Sequence, residues 1–180
     1  KNNNISVDQN ILNLIEPYKK FSLFHFDEKW IFGDYIKTYN NIQPNFENLH
    51  KFLEKLIFKC GNDLIVSTGL KDNDLILKLK SKFIEINKNI HQYKIENFSI
   101  FLIDKIDIFN LEYLISKSNR VITCHGASSH LANMYDKYLI DIIDKSEDQL
   151  FRNWTNHFTN HRLLYRSNFN TVADEIISSI

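Results

Sequence analysis

The sequence predicts one α/β domain built on a Rossmann-like parallel sheet of about five or six strands flanked by helices. Three observations predict this fold. Short apolar runs alternate with amphipathic stretches, the pattern of repeated strand–helix–strand units. The 180 residues suit a single domain. Polar or glycine-containing turns follow the apolar runs, and such sheets bind ligands beyond the C-terminal ends of their strands.

The first half of the chain gives two strands and two helices. Pro17 ends the first helix, because the residue before a proline avoids helical geometry. Pro44 opens the second helix, and Gly61 stands where a helix-ending glycine belongs. In chain order we expect a helix at 8–16, a strand at Phe21–Phe26, a polar loop at 27–44 with a helical turn at 33–39, a helix at 44–61 and a strand at 64–68.

The second half continues the alternation, and right-handed crossovers would keep its strands parallel. Asp72 or Asn73 caps its first helix. Residues 84–97 are ambiguous between the possible elements and are left unassigned. The expected elements are a helix at 73–82, a strand at Phe98–Ile103, a helix at 108–118, a strand at Arg120–Cys124, a tight turn at 125–129, a helix at 129–137, a strand at Tyr138–Ile143, a polar aromatic loop at 148–162, a strand at 163–165 and a helix at 170–179.

Composition excludes several functional classes. Basic and acidic residues number 22 each, so no general nucleic-acid footprint is expected. Cys60 and Cys124 form no CxxC pair, which gives no zinc signature and favours a reducing compartment. No apolar run approaches the roughly 18 residues of a transmembrane segment. The chain starts at Lys1 without an apolar signal core, which is compatible with a piece excised from a longer protein.

The strongest candidate site is the segment Val121-Ile-Thr-Cys-His-Gly-Ala-Ser-Ser-His-Leu-Ala-Asn133. A strand, a glycine turn and a helix N-terminus follow one another there, so free backbone N–H groups and the positive end of the helix dipole face the crevice. This arrangement suits a phosphate or pyrophosphate, and Gly126 lets the backbone approach it. The side chains that can assist are those of His125, Ser128, Ser129 and His130. The alternative is that a serine only caps the helix and that His130 packs beneath it.

A second candidate segment follows the first strand. Asp27, Glu28, Lys29 and Trp30 come directly after Phe26. Lys29 can neutralise a phosphate, and Asp27 or Glu28 can bind a sugar hydroxyl or act as a base. The alternative is a solvated charged turn with Trp30 as a hydrophobic plug.

Two further segments end at the same edge of the sheet. Thr68 and Gly69 follow the second strand, and the loop from Asp144 to Trp154 follows the last crossover strand. That loop can close over a base or a ribose. The alternative is that Phe151 and Trp154 only pack the loop against the domain.

Several catalytic classes lack their signatures. The chain has no P-loop, no GxGxxG and no GxSxG, which argues against a P-loop ATPase, a typical nicotinamide dehydrogenase and an α/β-hydrolase. His157 and His161 have helical i, i+4 spacing but no obvious third ligand, so no metal site is predicted. A cysteine nucleophile at Cys124 is disfavoured, because Cys124 and His125 are adjacent and point apart at a strand end.

Together these motifs resemble the C-terminal, donor-binding half of GT-B glycosyltransferases, and most closely the heptosyltransferases of lipopolysaccharide synthesis. In that family a Lys-Trp element follows the first strand, as Lys29-Trp30 does here. A glycine turn leads to His-Leu-Ala, as Gly126 leads to His130-Leu131-Ala132, and an acid and a Trp follow the next strand, as Asp144 and Trp154 do. The resemblance spans residues 21–160.

The turn departs from the heptosyltransferase pattern. That family usually has Asp-Ser/Thr-Gly-Pro before the histidine, whereas this chain has Cys124-His125-Gly126-Ala127 and one extra residue before His130. A second group of GT-B enzymes carries His-Gly-Ala-Gly at this place, and His125-Gly126-Ala127 resembles it. The superfamily is therefore favoured over any one family.

The resemblance implies a domain that binds a nucleotide-diphosphate sugar for transfer to a glycan or lipid-linked acceptor. Lys29 and the turn at 126–130 would contact the diphosphate, and Asp144 or a neighbour the ribose or the sugar. No metal or cofactor would be needed, because Lys29 and the helix N-terminus would stabilise the leaving group. The acceptor site and the general base would lie in an N-terminal domain outside this sequence, so no catalytic residue is assigned. A cytoplasmic protein is implied, at most peripheral at the inner face of the membrane.

Other functions stay open on the same fold. One is a non-catalytic nucleotide- or anion-binding module, which turnover of nucleotide sugars by the full-length protein would exclude. Another is a different sugar enzyme, such as an epimerase or a pyruvyl-type transferase, which product analysis would identify. A flavodoxin-like receiver is disfavoured, because it needs a lysine late in the chain after a strand and none is well placed for that role.

Overall fold

Strand β1 (Phe21–Phe26) lies near the middle of an eight-stranded sheet and is buried along its whole length. The computed structural model describes residues 7–17, 20–31 and 41–180. The other strands are β2 (Asp63–Thr68), β3 (Ile84–Asn87), β4 (Ile90–Ile95), β5 (Phe98–Ile103), β6 (Arg120–Cys124), β7 (Tyr138–Ile143) and β8 (His161–Tyr165).

Helices connect most of the strands, and capping side chains mark several helix ends. Asn45 accepts a hydrogen bond from the backbone N–H of Asn48 at 2.8 Å, and Gly61 ends the same helix in the left-handed conformation at φ 66°. The helices are α1 (Gln9–Ile15), α2 (Glu28–Ile31), α3 (Phe46–Cys60), α4 (Asp74–Lys82), α5 (Ile108–Lys117), α6 (Ala127–Met134), α7 (Asp148–Trp154) and α8 (Phe169–Ser178), with a 3₁₀ turn at Lys145–Glu147. None of these described helices is long and apolar enough to cross a membrane.

The order of the strands reverses at β1. The sheet reads β3-β4-β5-β2-β1-β6-β7-β8, and the strands from β5 to β8 in that order are parallel. The chain therefore builds outwards on one side of β1 and returns to its other side with β6. In open α/β sheets this reversal opens a crevice beyond the C-terminal ends of the two strands, where ligands bind.

Both faces of the sheet are covered by apolar cores. Phe24 and Phe26 of β1 face the core shared with α3 and α8, whereas Phe21 and Leu23 face the core shared with α1 and α5. Trp30 of α2 is 1% exposed, and its ring lies 5.0 Å from that of Phe24. Burial of this large side chain fixes α2, and with it the residue before Trp30, against the tip of β1.

The predicted fold class is confirmed, but the predicted number of strands is wrong. Five or six were expected, and the described residues form eight. The additional strands β3 and β4 form an antiparallel hairpin within residues 84–97, which the sequence left unassigned. All four residues of β3 are exposed, so this strand lacks the alternation of buried and exposed residues by which strands are recognised.

Several predicted boundaries also need correction. Pro44 does not open α3, because Asn45 is the cap and Phe46 the first helical residue. The helix expected at 129–137 begins two residues earlier, at Ala127, and ends at Met134. The loop expected at 27–44 begins with α2, and its predicted turn at 33–39 lies outside the described residues. The loop expected at 148–162 contains α7, which an Asp148–Arg152 pair at 2.8 Å supports across one turn.

Candidate functional site

The side chains of two strand ends meet where the sheet order reverses. Lys29 follows β1, and Gly126 follows β6, the strand beside it. A Cβ atom built on Gly126 would overlap the ammonium group of Lys29. The backbone of Gly126 is extended, at φ 167° and ψ −156°, so it is the proximity of Lys29 that favours glycine here.

Helix α6 starts directly behind this ammonium group. The backbone N–H of Gly126 donates to Ser129 Oγ at 3.3 Å, and the N–H of Ser129 donates to the Gly126 carbonyl at 3.0 Å. These two N–H groups are bonded within the turn, and the start of a helix carries a positive partial charge that favours an anion in front of it. The predicted anion site thus combines a helix N-terminus with a lysine from the neighbouring strand end.

Neighbouring groups hold the Lys29 segment in place. The backbone N–H of Lys29 donates to Asp27 Oδ1 at 3.1 Å, and its Nζ lies 3.4 Å from Asp27 Oδ2. Arg166, which follows β8, donates to the Lys29 carbonyl at 2.8 Å. The indole N–H of Trp30 donates to the His25 carbonyl at 3.0 Å. Trp30 is therefore the buried hydrophobic plug of this turn, which was one of the alternatives for the segment.

His125 is held by a buried carboxylate on the next strand. Its Nδ1 lies 2.6 Å from Asp141 Oδ2, and the other carboxylate oxygen accepts a hydrogen bond from Ser129 Oγ at 2.7 Å. Asp141 has no exposed surface. The carboxylate therefore fixes both the histidine before the turn and the serine after it.

The two serines of the turn point inwards. Ser128 is 4% exposed and its hydroxyl lies 2.8 Å from that of Thr123, while Ser129 is fully buried beside Asp141. Their hydroxyls stabilise the turn from within the domain. At Ser128 and Ser129, the backbone amides are therefore better placed than the hydroxyls to contact a bound nucleotide sugar.

His130 lies on the outer side of the turn. It is exposed, so it does not pack beneath the helix, and its ring centroid lies 5.4 Å from that of His125. Partial desolvation, and then the neighbouring His125, hold the pKa of His130 below its ordinary value. At neutral pH it is an uncharged donor or acceptor.

Glu28 lies on the opposite side of the β1 tip from Lys29. Its carboxylate occupies the space next to the Gly69 α-carbon and accepts a hydrogen bond from the backbone N–H of Lys71 at 3.0 Å. Thr68 is 1% exposed, and its hydroxyl donates to Asp104 Oδ1 at 2.8 Å. Of these predicted residues, Glu28 borders the crevice, whereas the Thr68 hydroxyl supports the strand ends.

A small cavity of about 50 Å³ lies on the β7 side of the switch point. Its lining includes Lys29, His125, Asp144, Phe151 and Arg166. Asp144 is 3% exposed and accepts hydrogen bonds from the backbone and hydroxyl of Ser146. Trp154 is 53% exposed and is absent from this lining, so the structure does not bring it to the other predicted residues.

Burial shifts the pKa of two further side chains near these strand ends, Cys124 and His25. Burial raises the pKa of the Cys124 thiol well above its ordinary value, which leaves it a poor nucleophile. Burial lowers the pKa of His25, whose Nδ1 lies 2.9 Å from Ser67 Oγ. Across residues 7–17, 20–31 and 41–180, no three His, Cys, Asp or Glu side chains are grouped closely enough to hold a metal ion.

Sequence reasoning missed Asp141 and Arg166. Asp141 is a lone acid inside the apolar strand β7, and a buried charge of this kind needs a partner, which is a signal that the sequence does carry. Arg166 follows a short strand whose place in the sheet could not be predicted. Its neighbours therefore became evident only from the structure.

Comparisons with known proteins agree with this architecture. No family model matches the chain, and no curated protein does either. A solved structure of the UDP-GlcNAc 2-epimerase of Methanocaldococcus jannaschii, in complex with UDP-GlcNAc and UDP, is similar over 94% of this chain, with a TM-score of 0.56 and 14% identity. The chain spans only 42% of that epimerase. The NMR structure of ALG13 is similar over 89% of this chain and 84% of its own length, with a TM-score of 0.52 and 14% identity. The likeness shows a GT-B-like, Rossmann-type fold.

Proposed function

We propose that this chain is the donor-binding domain of a metal-independent glycosyltransferase and that it binds the diphosphate of a nucleotide sugar at the β1/β6 switch point. The observation that carries the proposal is the contact between the Lys29 ammonium and Gly126 in front of α6. It places a lysine ammonium and the N-terminus of a helix at one point of the crevice.

The chemistry of the site favours a diphosphate over a neutral ligand. A helix N-terminus and a lysine each stabilise negative charge, and together they suit a group with two charged phosphates. During sugar transfer the negative charge grows on the leaving diphosphate. Preorganised N–H groups and Lys29 would stabilise that charge without a metal ion or a cofactor.

The similar structures support a uridine nucleotide. The epimerase structure is a complex with UDP-GlcNAc and UDP, and its fold covers 94% of this chain. We therefore propose UDP-sugars as the first donors to test. The proposal has three further parts: membership of the heptosyltransferase-like family, a glycan or lipid-linked acceptor bound by a further N-terminal domain, and action at the inner membrane face. These parts rest on the resemblance carried by Lys29-Trp30, Gly126 and His130-Leu131-Ala132.

Calorimetric titration with UDP and UDP-GlcNAc tests the binding step. We expect Lys29→Ala to weaken the affinity for both ligands about tenfold or more, since a charge-assisted hydrogen bond contributes roughly 1.5–3 kcal/mol. Lys94→Ala is the matched control, because Lys94 is an exposed lysine on β4. It lies opposite Ser99, near the start of β5 and away from the C-terminal ends of the parallel strands. Equal affinities of the wild type and Lys29→Ala would refute the site.

A second candidate function is epimerisation of a nucleotide sugar. The specific observation in its favour is the similarity to the UDP-GlcNAc 2-epimerase. Incubating the full-length protein with UDP-GlcNAc separates the two functions. A transferase releases UDP when an acceptor is present, whereas an epimerase changes the configuration of the sugar and gives a product that is still linked to UDP.

A further inference from the structure

Asp141 carries a buried negative charge next to the proposed diphosphate site. Its carboxylate has no exposed surface, and it is bonded to His125 Nδ1 at 2.6 Å and to Ser129 Oγ at 2.7 Å. An ionised carboxylate is an acceptor only, so Nδ1 of His125 carries the hydrogen of this bond. A buried carboxylate is costly unless it is paired in this way.

The pairing determines which ring nitrogen of His125 is left for a ligand. With Nδ1 bound to Asp141, the ring nitrogen left to face a ligand is Nε2. Edge-to-face contact with Phe151, at 4.6 Å between ring centroids, also restrains the ring. The ring lines the small cavity that Lys29 also lines.

Charged groups from several elements surround this ring. The carboxylates of Asp141 and Asp144 favour a positive charge on it, whereas the cations Lys29 and Arg166 and the neighbouring imidazole of His130 oppose it. The groups that face His125 are Asp141 of β7, His130 of α6, Lys29 of α2, Phe151 of α7, Asp144 and Arg166. A bound diphosphate would add negative charge to this set and shift the balance towards the protonated ring.

We propose that His125 and Asp141 form a proton-sharing pair in which His125 takes up one proton from solvent as the diphosphate binds. Nδ1 carries the hydrogen shared with Asp141 before the ligand binds, so the proton taken up would go to Nε2. In the complex Nε2 would also carry a hydrogen and donate it to a phosphate oxygen. Asp141 would act as a positioning residue, since its carboxylate is bonded to His125 and Ser129 and has no exposed surface from which to reach a ligand. This inference rests on the proposed function.

Calorimetry in buffers of different ionisation enthalpy measures the proton uptake directly. UDP-GlcNAc is the probe, because each of its phosphates has one ester and one anhydride bond and therefore has no proton to exchange near neutral pH. We expect proton uptake on binding to the wild type, less uptake in Asp141→Asn and none in His125→Gln. His161→Gln and Asp63→Asn are matched controls that should keep both affinity and uptake, since each is the first residue of its parallel strand, at the end opposite to the proposed site.

Several outcomes would overturn the inference. Binding of UDP-GlcNAc to the wild type without proton uptake would refute it and leave the proposed function intact, whereas failure of UDP and UDP-GlcNAc to bind would refute the proposed function. Proton uptake that survives in His125→Gln and disappears in His130→Gln would show that His130, not His125, takes up the proton, and would refute the inference. If Asp141→Asn fails to fold, the ¹⁵N shifts of the wild-type His125 ring still decide: a proton on Nδ1 alone in the free protein and on both nitrogens in the complex is expected, and an unchanged ring contradicts the proposal.

Discussion

The ammonium of Lys29 occupies the space that a side chain at position 126 would need. Lys29 and Gly126 follow adjacent parallel strands, and they meet only because β6 returns to the free side of β1. The contact therefore lies both at the switch point of the sheet and at the proposed ligand site. It also makes the two positions testable as a pair.

Gly126→Ala should displace Lys29 while leaving the fold intact. The backbone of Gly126 is extended, a conformation that alanine adopts readily, and the overlapping atom is the end of a flexible side chain. We expect the affinity for UDP to fall several-fold with little change in the melting temperature. In the Lys29→Ala background, Gly126→Ala should add little to the loss, and full additivity of the two effects would mean that the residues act independently.

His130→Ala should weaken the binding of a nucleotide sugar less than Lys29→Ala does. His130 is exposed at the turn and uncharged at neutral pH, and a neutral hydrogen bond contributes about 1 kcal/mol. Calorimetry with UDP-GlcNAc measures the difference, and His157→Ala is a control on the neighbouring surface. Unchanged affinity in both His130→Ala and Lys29→Ala would contradict the proposed donor contacts.

Stability should fall as the pH drops below the ordinary range of histidine. Burial holds the pKa of His25 below its ordinary 6.5, so the unfolded chain binds a proton more readily than the folded chain. The free energy of unfolding is then complete above about pH 6.5 and decreases as the pH falls from there towards the lowered pKa. Urea denaturation of His25→Gln between pH 7 and pH 5 should show a weaker pH dependence. A dependence as steep as that of the wild type would show that other groups govern it, the candidates being His91 and His130, whose pKa values are also lowered.

His91→Leu should stabilise the protein. His91 is 7% exposed and its Nδ1 has no hydrogen-bond partner among the described residues. A buried polar atom without a partner costs about 1–3 kcal/mol, which leucine would avoid at the expense of some repacking. The measurement is the midpoint of chemical unfolding at pH 7. A lower midpoint would indicate that the imidazole has a favourable partner after all.

Much of the fold followed from local patterns, whereas the details of the site depend on long-range pairing. The bounds of β1 and β6 match their apolar runs, and the meeting of Lys29 with Gly126 follows from the rule that parallel strands end at one edge. The partner of His125 could not be predicted, because it requires the register that sets Thr123 opposite Asp141. The inward direction of Ser128 and Ser129 depends on where α6 begins, and the sequence placed that start two residues late.

The most direct test of the account is the map of backbone amide shifts on titration of the wild type with UDP, recorded by NMR. We expect the largest shifts at residues 126–130 and around Lys29, where the two strand ends meet, and smaller shifts in Lys29→Ala at equal saturation. Saturable binding with its largest shifts elsewhere, such as the cavity of about 220 Å³ lined by Asp8, Lys88 and Asn110, would contradict the account.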